Sequence, residues 1–209
     1  MDVLEDNLDL QISPTYILRD LKDARDSYDM RVKIFEDRTK GWFFDHAKSL
    51  TNSGNQHVGF AVLKLLFSYF EMIAQYMEGM SSRGNSGPFF KRGVVYVFPE
   101  LSDDPWKDDL LNLLWISARN GFFHSGMTQH RVFIRDSDAP IVFEDGKIYI
   151  DRFKFPERIY QHFDEYIEEL KTSFDPFVRD HFSFIWRQVN GGKFYPISFS
   201  FTPYLNLII

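Results

Sequence analysis

The spacing of apolar side chains predicts a mainly helical protein. The stretch from Pro105 to Gly126, PWKDDLLNLLWISARNGFFHSG, is almost continuously apolar in its middle. We therefore predict a central helix there, with most of its circumference buried. The sequence Ser102-Asp103-Asp104-Pro105 is typical of a capped helix start, and Gly126 supplies a left-handed stop at the other end.

Apolar residues at spacings of three and four predict further helices. In the second of them Glu71 stands within a run rich in Phe, Met and Ile, where an ionised carboxylate is costly unless it is paired. It either points to solvent or pairs with Arg119. Gly41 predicts a bend or break in the first helix. The predicted ranges are 13–47, 56–80, 156–174 and 176–189, and the second is expected to pack against the helix over 105–126.

The segments between the first predicted helices and the helix over 105–126 are predicted to form a turn, a loop and a short extended segment. Residues 51–55, TNSGN, predict a turn, and residues 81–93 predict a Gly/Ser loop that is either a solvated connector or functional. Residues 94–98, VVYVF, predict a short strand or a buried extended segment. The loop carries the cations Arg83, Lys91 and Arg92.

Residues 131–150 alternate apolar and polar side chains around Asp145-Gly146, which is a strong signal for a β-hairpin. We predict a small antiparallel sheet there. The C-terminal tail, about 193–209, alternates in the same way in its middle. Such a strand is expected to join the sheet, cover the helices or lie in a subunit interface.

Composition narrows the class of protein. The 209 residues include 23 Phe and 10 Tyr, which predicts one globular domain over 1–209 with an aromatic core. The chain has no Cys, so disulfides and thiolate metal sites are excluded. The first residues lack the pattern of a signal peptide, and no uninterrupted apolar run approaches about 18 residues, so we expect a cytoplasmic protein without a membrane segment.

Charge and motifs exclude several functions. A formal net charge of −6 argues against a broad electrostatic hold on nucleic acid, although a local basic pocket remains compatible with it. The sequence has no phosphate-binding glycine loop, no metalloprotease helix and no nucleophile elbow. His124 and His130 alone make a weak case for a metal site, so we expect no metal and no cofactor.

The remaining constellation is Arg119-Asn120-Gly121-Phe122-Phe123-His124, at the end of an apolar helix. An Arg, a polar residue, three further positions and a His resemble the motif of the HEPN superfamily. The resemblance covers roughly residues 29–189, with the sheet as an insertion. It implies an up-and-down bundle of four to five helices, commonly a two-fold dimer, and in many members a metal-independent ribonuclease with a defence or toxin-like role.

Carried onto this sequence, the resemblance implies that Arg119, Asn120 and His124 are catalytic and that Glu71 positions Arg119. His suits proton transfer and Arg suits the phosphate charge. Some relatives have a Tyr two residues after the His, where this chain has Gly126. The cations expected to contact RNA are Arg83, Lys91, Arg92 and Arg131, and a protein regulator is not identified.

A second class of function stays open. In a non-catalytic helical binding or scaffold module, Arg119 would cap carbonyl groups at the helix end and His124 would bond to backbone. An open cleft around Arg119 and His124 would favour the enzyme, whereas a cover formed by Phe122, Phe123 or the tail would favour the module.

Overall fold

The computed structural model describes residues 8–55, 57–124, 126–128 and 131–190, apart from the side chain of Phe123. Within these ranges the chain is mainly helical with a small three-stranded sheet, which confirms the predicted fold class at this level. The α-helices are α1 (Leu18–Asp23), α2 (Tyr28–Thr39), α3 (Asp45–Asn52), α4 (Gly59–Glu78), α5 (Ser86–Val97), α6 (Lys107–Leu113), α7 (Gly121–His124), α8 (Lys154–Thr172) and α9 (Pro176–Asn190). The strands are β1 (Val132–Ile134), β2 (Ile141–Glu144) and β3 (Lys147–Ile150).

The helix that lies at the centre is α4. Its side chains Leu66, Phe67 and Phe70 are fully buried, and the helix contacts α3, α5, α8 and α9. The rings of Phe67 and Phe70 both lie against Phe90 of α5 and Phe155 of α8. These aromatic contacts join α4, α5 and α8. The described buried apolar residues form one continuous cluster.

The predicted central role of the helix over 105–126 is therefore wrong. Leu110, Leu111 and Leu114 are buried, but Trp106 is 58% exposed and Ile116 is 52% exposed. The apolar run is continuous because this helix has one face on the core and scattered apolar side chains on the other. Its direct contacts with α4 are made by Arg119 and Phe122.

Within the described residues, α4 is also the helix that is long and apolar enough to span a membrane by length and composition, and half of that segment is buried in the fold. A count of uninterrupted apolar residues misses it because Lys64, Ser68 and Glu71 interrupt the run. The core helix of a soluble protein meets the same criterion.

Residues 86–97 form a helix, not the predicted loop and strand. Phe89, Phe90, Val94 and Val97 recur at helical spacing and are buried in α5, but the neighbouring glycines and β-branched residues obscured that period. A Cβ at Gly93 would overlap the backbone carbonyl of Phe70. Gly93 therefore lets the backbones of α4 and α5 approach closely.

The sheet has the order β1-β3-β2. The predicted hairpin is confirmed, since β2 and β3 pair antiparallel and Asp145 and Gly146 turn with φ of 51° and 68°. However, β1 pairs parallel with β3, so the sheet is mixed and the prediction of a purely antiparallel sheet is wrong. The link after β1 crosses the end of β3, where the buried carboxylate of Asp151 accepts the backbone N–H of Ser137 at 2.7 Å.

The bounds of the other predicted helices agree with the structure to different degrees. The ranges predicted for α8 and α9 are confirmed to within two residues. The range 13–47 is not one helix but spans α1, α2 and the start of α3. Arg25 and Asp26 adopt positive φ and separate α1 from α2. The π-helical segment Lys40–Phe44 contains Gly41, so the predicted bend is a widened turn between α2 and α3. Helix α3 continues to residue 52, so only the later part of the predicted turn over 51–55 lies outside a helix, and the predicted tail lies outside the described residues.

Replacing Gly93 with Ala is expected to lower the free energy of unfolding by about 3 kcal/mol or more, because the new methyl group forces α4 and α5 apart. Gly87→Ala on the same helix is the matched control. Its methyl group would meet the Trp115 ring at 3.1 Å, and Ala favours a helix by about 1 kcal/mol over Gly, so little net change is expected. Urea unfolding followed by circular dichroism measures both variants. Equal losses in the two would contradict the close approach at Gly93.

A pH dependence of stability is expected from His162 on α8. Its Nδ1 shares a 2.8 Å hydrogen bond with the buried hydroxyl of Tyr69. Burial lowers the pKa of His162 to about 4, with Glu165 opposing and Arg158 adding to the effect. Because the unfolded side chain titrates near 6.5, its contribution is complete above about pH 6.5 and is lost as the pH falls towards 4, by roughly 3 kcal/mol in all.

His162→Gln removes this titration and can still accept from Tyr69, so its unfolding free energy should change less between pH 6.5 and 4. His46→Gln, at an exposed position on α3, should keep the native pH dependence. The same slope in all three proteins would show that His162 is not the group responsible.

Candidate active site

The guanidinium of Arg119 is held between α4 and the helix that carries it. Its Nη2 lies 3.2 Å from Oε2 of Glu71, and its Cζ lies 4.7 Å from the ring centroid of Trp115. The side chains of Arg119 and Glu71 are 24% and 19% exposed, respectively. The contact that the sequence suggested between them is present. The ion pair is partly buried, which screens it less than a surface pair.

The carboxylate of Glu71 is also fixed on its other oxygen. The Oγ of Ser82 donates to Oε1 of Glu71 at 2.7 Å, and the N–H of Ser82 donates to Oε1 of Gln75 at 3.0 Å. The chain reaches this position because Gly79 ends α4 with φ of 62° and turns back. Sequence reasoning missed Ser82 and Gln75. Gln75 lies one turn after Glu71 on α4, which was a usable signal, whereas Ser82 gave none.

Arg119 lies in a π-helical segment, Leu114–Asn120, that continues α6 and leads into α7. Such wide turns are rare and occur often at functional sites. They also shift which residues face the core, so a constant helical period assigns the wrong faces here. Nη1 of Arg119 donates to Oδ1 of Asn120 at 3.4 Å, a long hydrogen bond between neighbours.

His124 is the last residue of α7 and is exposed. Gly126 follows with φ of 74°, which confirms the predicted left-handed stop. His124 makes no hydrogen bond or ion pair with the residues that the structure describes.

The four predicted RNA-contacting cations have different surroundings. Arg83 is exposed and directly follows Ser82 in the turn. Lys91 donates to Oδ1 of Asn112 on α6, while Arg92 makes two 2.7 Å hydrogen bonds to Glu78.

Arg131 is the fourth of these cations. It lines a groove with Asn112 and Ile116, so Lys91 and Arg131 both lie near α6. Lys91 and Arg92 already have polar partners within the protein. A ligand phosphate would have to compete with those partners.

Comparisons with models of protein families, with curated proteins and with solved structures found no match. Among the described residues there is no group of three or more His, Asp or Glu placed to hold a metal ion. His130, considered as a ligand from the sequence, lies outside those residues. The described groups at this site that could take part in chemistry are Arg119, Glu71 and His124.

A double-mutant cycle tests whether Glu71 anchors Arg119. Combining Glu71→Gln with Arg119→Met is expected to give a coupling of about 1–3 kcal/mol in the free energy of unfolding, because each single change leaves a partly buried partner without its counter-charge. Gln at position 71 can still accept from Ser82, so the cycle isolates the ion pair. The control is Arg135–Glu144, whose side chains are 46% and 57% exposed, with an expected coupling below about 1 kcal/mol. Equal couplings would mean that Arg119 is not specifically anchored.

Proposed function

We propose that this protein is a HEPN-like, metal-independent RNA endonuclease, with its helices arranged as the up-and-down bundle of four to five helices that the resemblance implies. One observation carries the proposal. A guanidinium held by a carboxylate from the central helix precedes an exposed imidazole by five positions at the end of another helix. An anchored cation and a free proton-transfer group are the two parts that this reaction requires.

In the proposed reaction the 2′-oxygen of a ribose attacks the adjacent phosphorus and the bond to the 5′-oxygen breaks. The products are a 2′,3′-cyclic phosphate and a 5′-hydroxyl. His124 takes the proton from the 2′-hydroxyl or delivers one to the leaving 5′-oxygen. Arg119 binds the non-bridging oxygens, where its planar fork matches phosphate, and Asn120 adds a neutral donor. Glu71 is a positioning residue that acts through Arg119.

We further propose that the active form is a two-fold homodimer. The resemblance implies that such a dimer juxtaposes the two motifs, so that one subunit supplies His124 and the other supplies Arg119. His124 makes no hydrogen bond or ion pair with the described residues of its own chain, which leaves it available for a site shared with a partner subunit. A chain that stays monomeric at micromolar concentration would rule out the composite site.

The proposal also includes a biological role, a location and a regulator for this activity. The resemblance links such enzymes to defence or toxin-like roles, and we propose that this protein acts in the cytoplasm, where an unidentified protein could regulate it. With a net charge of −6, the protein is expected to bind RNA weakly and with strong dependence on salt.

A non-catalytic binding module is the second candidate. It is favoured by the balance of charge at the site, because Glu71 offsets Arg119 and the side chains of Lys91 and Arg92 bond within the protein. In that case Arg119 stabilises the contact of two helices, and His124 has no part in chemistry.

Cleavage of a mixed-sequence RNA in EDTA separates the two functions. The native protein is expected to cleave, and His124→Ala and Arg119→Ala are each expected to lower the rate by at least about 100-fold. Matched controls are His46→Ala, an exposed His on α3, and Arg31→Ala, an Arg with 11% exposure that pairs with Asp26. Both controls should cleave at the native rate.

Product ends provide a second readout, since the proposed chemistry leaves a cyclic phosphate. No cleavage by the native protein, together with lower stability of Arg119→Ala, would favour the binding module. Cleavage that survives in His124→Ala would remove His124 from the mechanism.

A further inference from the structure

One face of the small sheet presents aromatic rings to solvent. Phe133 of β1 and Tyr149 of β3 are register partners, with centroids 5.5 Å apart and planes 25° from parallel. Phe133 is 41% exposed, and the Cζ of Arg135 lies 3.6 Å from the centroid of Tyr149. The opposite face is buried through Val132, Ile148 and Ile150. The core therefore uses one face, and the exposed face carries stacked rings and a cation.

A groove of about 700 Å³ runs beside β1 and continues this face. Phe60 and Phe133 line it, together with His57, Arg135 and Arg152. Phe60 is 37% exposed, so both rings are accessible. Cations interleaved with accessible rings are the combination that single-stranded nucleic acid requires, since phosphates bind the cations and bases stack on the rings.

Both arginines have carboxylate neighbours that a phosphate could replace. Arg135 lies 3.0 Å from Glu144, and Arg152 lies 2.9 Å from Asp136. The side chains of Glu144 and Asp136 are 57% and 69% exposed. Exposed ion pairs contribute about 0–1 kcal/mol, so exchanging a carboxylate for a phosphate costs little.

The groove lies next to the helix that carries His124. The ring of Phe60 contacts the ring of Phe122 at 6.0 Å, and Phe122 precedes His124 by two positions. After the helix, the Oγ of Thr128 donates to the carbonyl of Val132 at the start of β1 at 3.1 Å. The groove and the helix that carries His124 are therefore neighbours in the structure, as an RNA molecule that contacts both would require.

We infer that this groove and the exposed sheet face bind single-stranded RNA, with a base stacked on Phe133 and phosphates held by Arg135 and Arg152. The inference rests on the proposed function and specifies its substrate as unpaired RNA. Duplex RNA keeps its bases stacked inside the helix, so Phe133 could not reach their faces. A protein strand could instead pair with β1, which lies at the edge of the described sheet, but backbone pairing makes no use of the rings or arginines.

The test is the fluorescence anisotropy of a labelled, mixed-sequence RNA of about 12 nucleotides in EDTA, with His124→Ala as the parent to prevent cleavage. Adding Phe133→Ala is expected to raise Kd about ten-fold, and Phe133→Leu should not restore binding, because Leu keeps apolar volume without a flat ring. Adding Arg135→Gln should weaken binding and reduce the slope of log K against log salt by about 0.7. Duplex RNA should compete poorly.

Two changes at exposed positions outside the groove serve as controls. Phe177→Ala removes a Phe that is 69% exposed on α9, and Arg19→Gln removes an Arg that is 51% exposed and paired with Asp9. Both should leave Kd and the salt slope unchanged. Circular dichroism and urea unfolding of every variant establish that the fold is kept.

The outcomes separate this inference from the proposed function. RNA binding that does not depend on Phe133 or Arg135 contradicts the proposed binding site in the groove. Absence of saturable binding also overturns it and favours a protein strand on β1. If the native protein cleaves RNA and the Phe133 and Arg135 variants cleave it at the same rate, the binding site in the groove is contradicted but the endonuclease is not. Groove-dependent binding without cleavage by the native protein supports the groove and overturns the endonuclease.

Discussion

The close packing of α5 on α4 is the constraint on which the rest of the structure depends. Gly93 permits it, because any side chain there would overlap the carbonyl of Phe70. With the helices in contact, Phe90 reaches the rings of Phe67 and Phe70 in the core. The turn between the helices also brings the Ser82 hydroxyl to the carboxylate of Glu71. Phe70 directly precedes Glu71, so the close approach at Gly93 lies beside the polar site on α4.

Glu71 illustrates how an apolar central helix accommodates a charge. A carboxylate that is only 19% exposed would be costly without partners, but one oxygen faces Arg119 and the other accepts from Ser82. The contact of Arg119 with the Trp115 ring adds a cation–π interaction on the same guanidinium. Pairing of this kind restricts Arg119 to one position. A fixed Arg119 is compatible with a purely structural role and with the binding of a phosphate. A cleavage assay is therefore needed to distinguish the binding module from the endonuclease.

Local patterns in the sequence predicted much of this fold, and the failures have identifiable causes. Strong periodicity predicted α4, α8 and α9, and the turn residues Asp145 and Gly146 predicted the hairpin. Helix α5 was missed because Gly87 and Gly93 resemble loop residues, although the long-range packing requires at least one of them. The π-helical segment before α7 broke the helical period, so the exposure of Ile116 was not foreseen. Parallel pairing of β1 depends on a crossing link, and local patterns do not encode that topology.

The same distinction applies to the candidate site. Glu71 and Arg119 could be paired from the sequence because a lone carboxylate in an apolar run needs a partner. The stacked rings of Phe133 and Tyr149 could not be paired from the sequence, because they belong to two strands whose pairing was unknown. This difference bears on how a chain with a net charge of −6 could hold RNA. General attraction to phosphate is weak in such a protein, whereas stacking on an exposed ring does not depend on net charge. Aromatic surface near arginines would therefore matter for the proposed RNA binding, and Phe133 of β1 lies two residues before Arg135.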